Sequence, residues 1–103
     1  MVAVIEEHSA DIQRLCRKFH VSRLEVFGSA VADDRFDPAR SDLDFLVEFE
    51  PMDPVDHARS YFGLLADLQD LFRRDIDLIE IKAVTNPYLL ESIDKGRRQI
   101  YAA

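Results

Sequence analysis

The sequence predicts an α/β (α+β) fold, a small mixed β-sheet flanked by helices, and three observations carry that prediction. Apolar residues recur at helical spacing near the N-terminus and again past the middle of the chain. Residues 43–49 alternate strictly, with Leu43, Phe45, Val47 and Phe49 on one face and Asp44, Leu46 and Glu48 on the other. Helical and strand-like stretches also interleave, in the order helix, strand, strand, helix, strand, helix.

Taken in order, Val4, Ile5, Ile12, Leu15, Cys16 and Phe19 fall mostly on one helical face, so residues 4–19 read as the first helix. Residues 23–27 are short, apolar and β-favouring, and Gly28 ends them. Residues 33–41 hold a proline, many charges and few apolar anchors, which is a loop composition. After the alternating strand, Pro51 and Pro54 punctuate the chain, and Asp53 or Asp56 is placed to cap a helix running to about Phe72. Its expected buried stripe is Ala58, Tyr61, Phe62, Leu65, Leu68 and Phe72. Residues 75–81 (DIDLIEI) read as the third strand. Asn86-Pro87 is a cap followed by proline at the first helical position, and Gly96 is the expected stop.

Bulk properties narrow the function. The 103 residues suit one domain, expected to span 1–103, with no room for a second lobe. A formal charge of −7 argues against standing duplex DNA or RNA binding, which needs clustered Lys and Arg. Basic pairs such as Arg73-Arg74 and Arg97-Arg98 form no such cluster, and for the latter a solvated helix end is the default reading, with an acidic partner as the alternative. A single cysteine, Cys16, permits no internal disulfide and fits a reducing compartment. The start MVAVIEEHSADI lacks the basic opening of a signal peptide, and no apolar run approaches the ~20 residues that cross a bilayer. The expectation is a soluble cytoplasmic protein with no membrane association.

Chemistry concentrates in Val26-Phe27-Gly28-Ser29 and Ser41-Asp42-Leu43-Asp44-Phe45-Leu46-Val47. Spacing alone says nothing: with 20 acids in 103 residues, about four acidic i, i+2 pairs arise by chance, and the chain has three. Context says more. Alternate strand residues share a face, which puts Asp42 and Asp44 ~6–7 Å apart along the chain. If Asp77 reaches that face from a neighbouring strand, three carboxylates converge, an arrangement that repels itself unless cations or protons occupy it. Magnesium takes oxygen ligands of this kind together with substrate phosphates. Gly28 permits a tight turn, and the backbone N–H groups and hydroxyl beginning at Ser29 are suited to phosphate oxygens.

Together these residues resemble the nucleotidyltransferase superfamily related to DNA polymerase β, in its minimal single-domain branch. The resemblance rests on Phe27-Gly28-Ser29, the interval to Asp42, the block from Ser41 to Phe49, and Asp75-Ile76-Asp77-Leu78-Ile79 as the third carboxylate strand. Ile100-Tyr101 also resembles the way such short chains end. The resemblance implies a palm-like fold and Mg²⁺-dependent transfer of a nucleoside monophosphate, AMP from ATP or another NTP, to a hydroxyl. Gly28 and Ser29 would bind phosphate, Asp42 and Asp44 would hold two Mg²⁺ ions, and Asp77 would complete one metal site and help activate the hydroxyl. Minimal members are encoded beside an all-helical HEPN-type protein. The implied role is therefore the antitoxin of a toxin–antitoxin pair, modifying a protein partner in a homo- or hetero-oligomer.

The chain departs from that pattern at Ala30, where many relatives have an arginine, and at the acidic Asp33-Asp34 that follows. Arg35 and Arg40 are the nearest substitutes, and each reads as a surface arginine. The departure favours a second reading, a catalytically degenerate antitoxin that acts by complex formation. Asp75 competes with Asp77 as third ligand, although its place after Arg73-Arg74 suits a surface ion pair. His8, His20 and His57 lack metal-ligand spacing, and Cys16 reads as a small buried hydrophobe.

Overall fold

The computed structural model describes residues 3–28 and 42–103. Two short helices, α1 (Ala3–Glu7) and α2 (Ser9–Lys18), precede strands β1 (Val21–Phe27) and β2 (Leu43–Phe49). Helix α3 (Pro54–Phe72), strand β3 (Ile76–Glu80), a 3₁₀ turn at Ile81–Ala83, helix α4 (Pro87–Asp94) and strand β4 (Arg98–Ala102) follow.

The sheet is mixed, in the order β3-β2-β1-β4. β1 pairs antiparallel with both β2 and β4, whereas β2 and β3 run parallel, joined by α3 as the crossover. The alternation in β2 is realised: Leu43, Phe45, Val47 and Phe49 are buried in the core with Leu24, Val26 and Leu78. Helices α2 and α3 supply the facing layer through Ile12, Leu15, Cys16, Leu64, Leu68 and Phe72. Each fully buried side chain of this size contributes about 1.5–3 kcal/mol by leaving water. On the opposite face Leu46 is also buried, at 2 % exposure.

Local rules explain most boundaries. The Asp53 carboxylate accepts from the Asp56 N–H at 2.9 Å, with Pro54 at the first helical position of α3. The far end closes on Arg73, which is left-handed at φ 53° and donates its N–H to the Gln69 carbonyl. Asn86 caps α4 by accepting from the N–H groups of Tyr88 and Leu89, and the chain turns at Gly96 as expected.

Four expectations need correction. Residues 4–19 form two helices, because His8 leaves helical geometry and its Nδ1 engages the Val4 carbonyl at 2.8 Å. On α3, Phe62 is 65 % exposed and Ala58 is also exposed, while Ser60 and Leu64 face the core. The C-terminus adds β4, a fourth strand, which its mixed polar composition hid. Arg97 does not sit at a solvated helix end: its Nε donates to Glu25 on β1 at 3.0 Å and its Nη1 to Asp94 at 2.9 Å.

Candidate functional site

The antiparallel register sets Phe27 opposite Asp44, so β1 delivers the next residue, Gly28, directly onto that aspartate. Gly28 has φ +73°, and a Cβ built there would lie 2.5 Å from Asp44 Oδ2. Only glycine accepts both the left-handed backbone and that approach. The two halves of the sequence pattern therefore touch.

The parallel register then sets Asp77 directly opposite Asp44. Paired residues share a sheet face, so the two carboxylates stand side by side away from the core. Asp42, two residues before Asp44 and exposed, adds a third negative charge. Asp44 responds to this environment. Its pKa is pushed up to about 6, first by burial and then by the charges of Asp77 and Asp42.

Asp75 lies one residue before β3 and gives its backbone carbonyl to the Leu43 N–H at 3.4 Å. Asp77 is the partner of Asp44 in the register, and it is Asp77 whose charge reaches Asp44. Ser29 lies outside the described residues, as do Ala30, Asp33, Asp34, Arg35 and Arg40.

Among the described residues no three acidic, histidine or cysteine side chains enclose a metal position on their own. That fits the chemistry of magnesium, which takes one or two carboxylates and completes its octahedron with water and substrate phosphates. The donors here are all hard oxygens, and the self-repulsion seen at Asp44 is relieved by a cation. The residues present therefore fit the ion. A cleft of about 620 Å³ opens at the other ends of β2 and β3, beside Glu48, Met52, His57 and Glu80, and none of the three aspartates lines it.

Two features of the site's surroundings escaped the sequence reading. Glu25 is a carboxylate only 8 % exposed, on the same face as Leu46 opposite it, and is held by Arg97 and at 3.8 Å by Arg23. His57 hydrogen bonds Glu80, and the Tyr61 hydroxyl donates to the Leu78 carbonyl at 2.6 Å. A lone acid within a strand, or a His and Tyr four apart, gives no local sign of such partners.

The sequence profile of the nucleotidyltransferase domain matches residues 12–100, nearly the whole chain. The chain belongs to the nucleotidyltransferase domain family. This nucleotidyltransferase is 33 % identical over 81 residues to a Methanocaldococcus jannaschii chain named "putative protein adenylyltransferase", covering 79 % of this chain and 78 % of that one. A solved minimal nucleotidyltransferase superposes with TM-score 0.63 at 26 % identity, covering 91 % and 90 % of the two chains. A Shewanella oneidensis complex of a tri-AMPylated HEPN toxin with an MNT antitoxin superposes with TM-score 0.63 at 17 % identity, covering 95 % of this chain and 72 % of the matched one. At that identity the likeness is one of fold. No helix among the described residues is long and apolar enough to cross a membrane.

Proposed function

We propose that this nucleotidyltransferase moves AMP from ATP onto a hydroxyl of a partner protein, with Mg²⁺, as the antitoxin of a HEPN-type toxin in the cytoplasm. The observation that carries the reading is the register that sets Asp77 opposite Asp44 with Gly28 packed on the Asp44 carboxylate. The similarity to a chain named as a protein adenylyltransferase supports AMP as the group moved, and the toxin–antitoxin neighbour supports a HEPN partner.

In this reading the acceptor oxygen attacks the α-phosphorus of ATP, the bond to the β-phosphate oxygen breaks, and pyrophosphate leaves. Asp42, Asp44 and Asp77 would hold up to two Mg²⁺ ions, which would supply charge neutralisation for the triphosphate and lower the pKa of the acceptor hydroxyl. Gly28 gives the turn that lets backbone approach the phosphates, with Ser29 following it. Asp77 stands on the outer strand, where an acceptor arriving from a partner would meet it and pass on its proton.

In this reading a partner chain encloses the nucleotide and holds the acceptor. The test mixes the purified protein with a candidate HEPN-type partner, ATP and Mg²⁺ and reads AMP addition by intact mass. The expected result is an adduct on the partner that disappears with Asp42→Asn plus Asp44→Asn. An adduct undiminished by those substitutions would sink the reading.

Ala30, where an arginine is the usual residue after the Gly-Ser pair, favours a second reading, an antitoxin that neutralises by complex formation alone. In that case the same double substitution leaves toxin neutralisation in cells intact, and the partner carries no AMP.

A further inference from the structure

Among the described residues Asp77 sits on an edge strand of the sheet, β3, which pairs with β2 alone. A strand paired on one side is the least constrained part of a sheet, yet this one carries a carboxylate placed against Asp44, a like charge. Something other than the ladder must hold it. The contacts on the far side come from α3, where Tyr61 and His57 are four residues apart and so share a helix face. The Tyr61 hydroxyl donates to the carbonyl of Leu78, the residue after Asp77, at 2.6 Å. One turn earlier His57 hydrogen bonds the carboxylate of Glu80 at the end of the strand. The helix is a firm base for both, with a capped N-terminus and with Leu64 and Leu68 fully buried.

We infer that Tyr61, seconded by His57, is a positioning residue for the aspartate site: it clamps the edge strand so that Asp77 stays opposite Asp44. The inference rests on Asp77 being a metal ligand in the reading above. Tyr61 touches neither nucleotide nor metal in this account and acts only through the strand. Its hydroxyl lies close enough to Asp77 and Glu80 that, after burial, their charges contribute to its raised pKa.

The test is Tyr61→Phe in the full chain, which keeps the ring and its edge-to-face packing on Phe62 and removes only the hydroxyl. Two readouts are taken: Mn²⁺ affinity in the presence of ATP, by electron paramagnetic resonance, and amide hydrogen exchange of the metal-free protein. Exchange at Asp77, Leu78 and Ile79 should quicken about fivefold, the loss of one hydrogen bond, while Leu24 and Val26 on β1 stay unchanged. Mn²⁺ affinity should fall about 3–10-fold, less than the 10–100-fold typical when a direct supporter of a ligand is lost. Wild-type affinity in Tyr61→Phe would overturn the inference, whether or not the exchange rates change. Asp77→Asn separates this from failure of the underlying reading. If Asp77→Asn itself leaves Mn²⁺ binding intact, Asp77 is not a ligand and both fall; if it abolishes binding while Tyr61→Phe keeps wild-type affinity, the inference alone falls.

Discussion

Asp44 is the residue on which the site turns, and its titration has a sign that can be checked. In the unfolded chain its carboxylate ionises at the ordinary 3.8, while in the folded protein burial, Asp77 and Asp42 delay ionisation to about 6. The folded state thus binds the proton more tightly between those values. This group's contribution to stability is complete below about pH 4 and is lost as pH rises through 6. Asp44→Asn should therefore stabilise the metal-free protein at pH 7–8 by on the order of 1–2 kcal/mol after allowing for solvent screening, read as a higher Tm. The gain should vanish at pH 4, and thermal unfolding at the two pH values reads both. A destabilised Asp44→Asn at pH 8 would contradict this electrostatic picture. Of the candidate residues, Gly28, Asp42 and Asp44 stood out in the sequence because their signals are local: a glycine ending a strand, and two acids alternating with apolar side chains. Glu25 did not, since nothing in Arg23-Leu24-Glu25-Val26 says that the acid is covered or that Arg97 will reach it.

At the scale of the element, caps and periods transferred from sequence to structure better than faces did. Asn86 is the clearest case, its side-chain oxygen taking two backbone N–H groups of α4. Asn86→Ala should cost about 1 kcal/mol, seen as a fall in Tm of about 4–8 °C for a domain of this size, with Asn86→Asp recovering most of it. Helix α3 shows why faces are harder. The period finds Leu68 and Phe72 buried and Tyr61 partly covered. The same period also includes Phe62, which the sheet never reaches. Strand β4 was missed for a related reason. As an edge strand with Arg98, Gln99 and Ala102 at least partly exposed, it carries no alternation, and its pairing with β1 is a long-range fact.

The whole molecule depends on pairings across the length of the chain. Element order was readable apart from the break at His8 and strand β4, but strand order and register were not, since these are settled by which buried faces fit together. The Glu25–Arg97 pair is one such long-range tie, joining the central strand β1 to the turn before β4 and, through Asp94, to the end of α4. Arg97→Ala should cost about 1–3 kcal/mol, because it leaves a covered carboxylate with only the more distant Arg23 as a charged partner. Adding Glu25→Gln should restore part of the loss, and chemical denaturation of the two single variants and the double variant measures the coupling. Independent, additive effects would show that the pair contributes nothing as a pair.

The parallel pairing of β2 and β3 has a thermodynamic consequence as well. Asp42 and Asp44 exist as neighbours in any state of the chain, but Asp77 meets them only when α3 has docked and carried β3 alongside β2. A cation that requires carboxylates from both strands therefore discriminates between the complete fold and every partly assembled one. Its binding energy is folding energy by linkage: at free ligand one hundred times its dissociation constant, about 2.7 kcal/mol. In a domain this small that is a large share of the total, so under the proposed function magnesium nucleotide would stabilise the complete fold as well as serve as substrate.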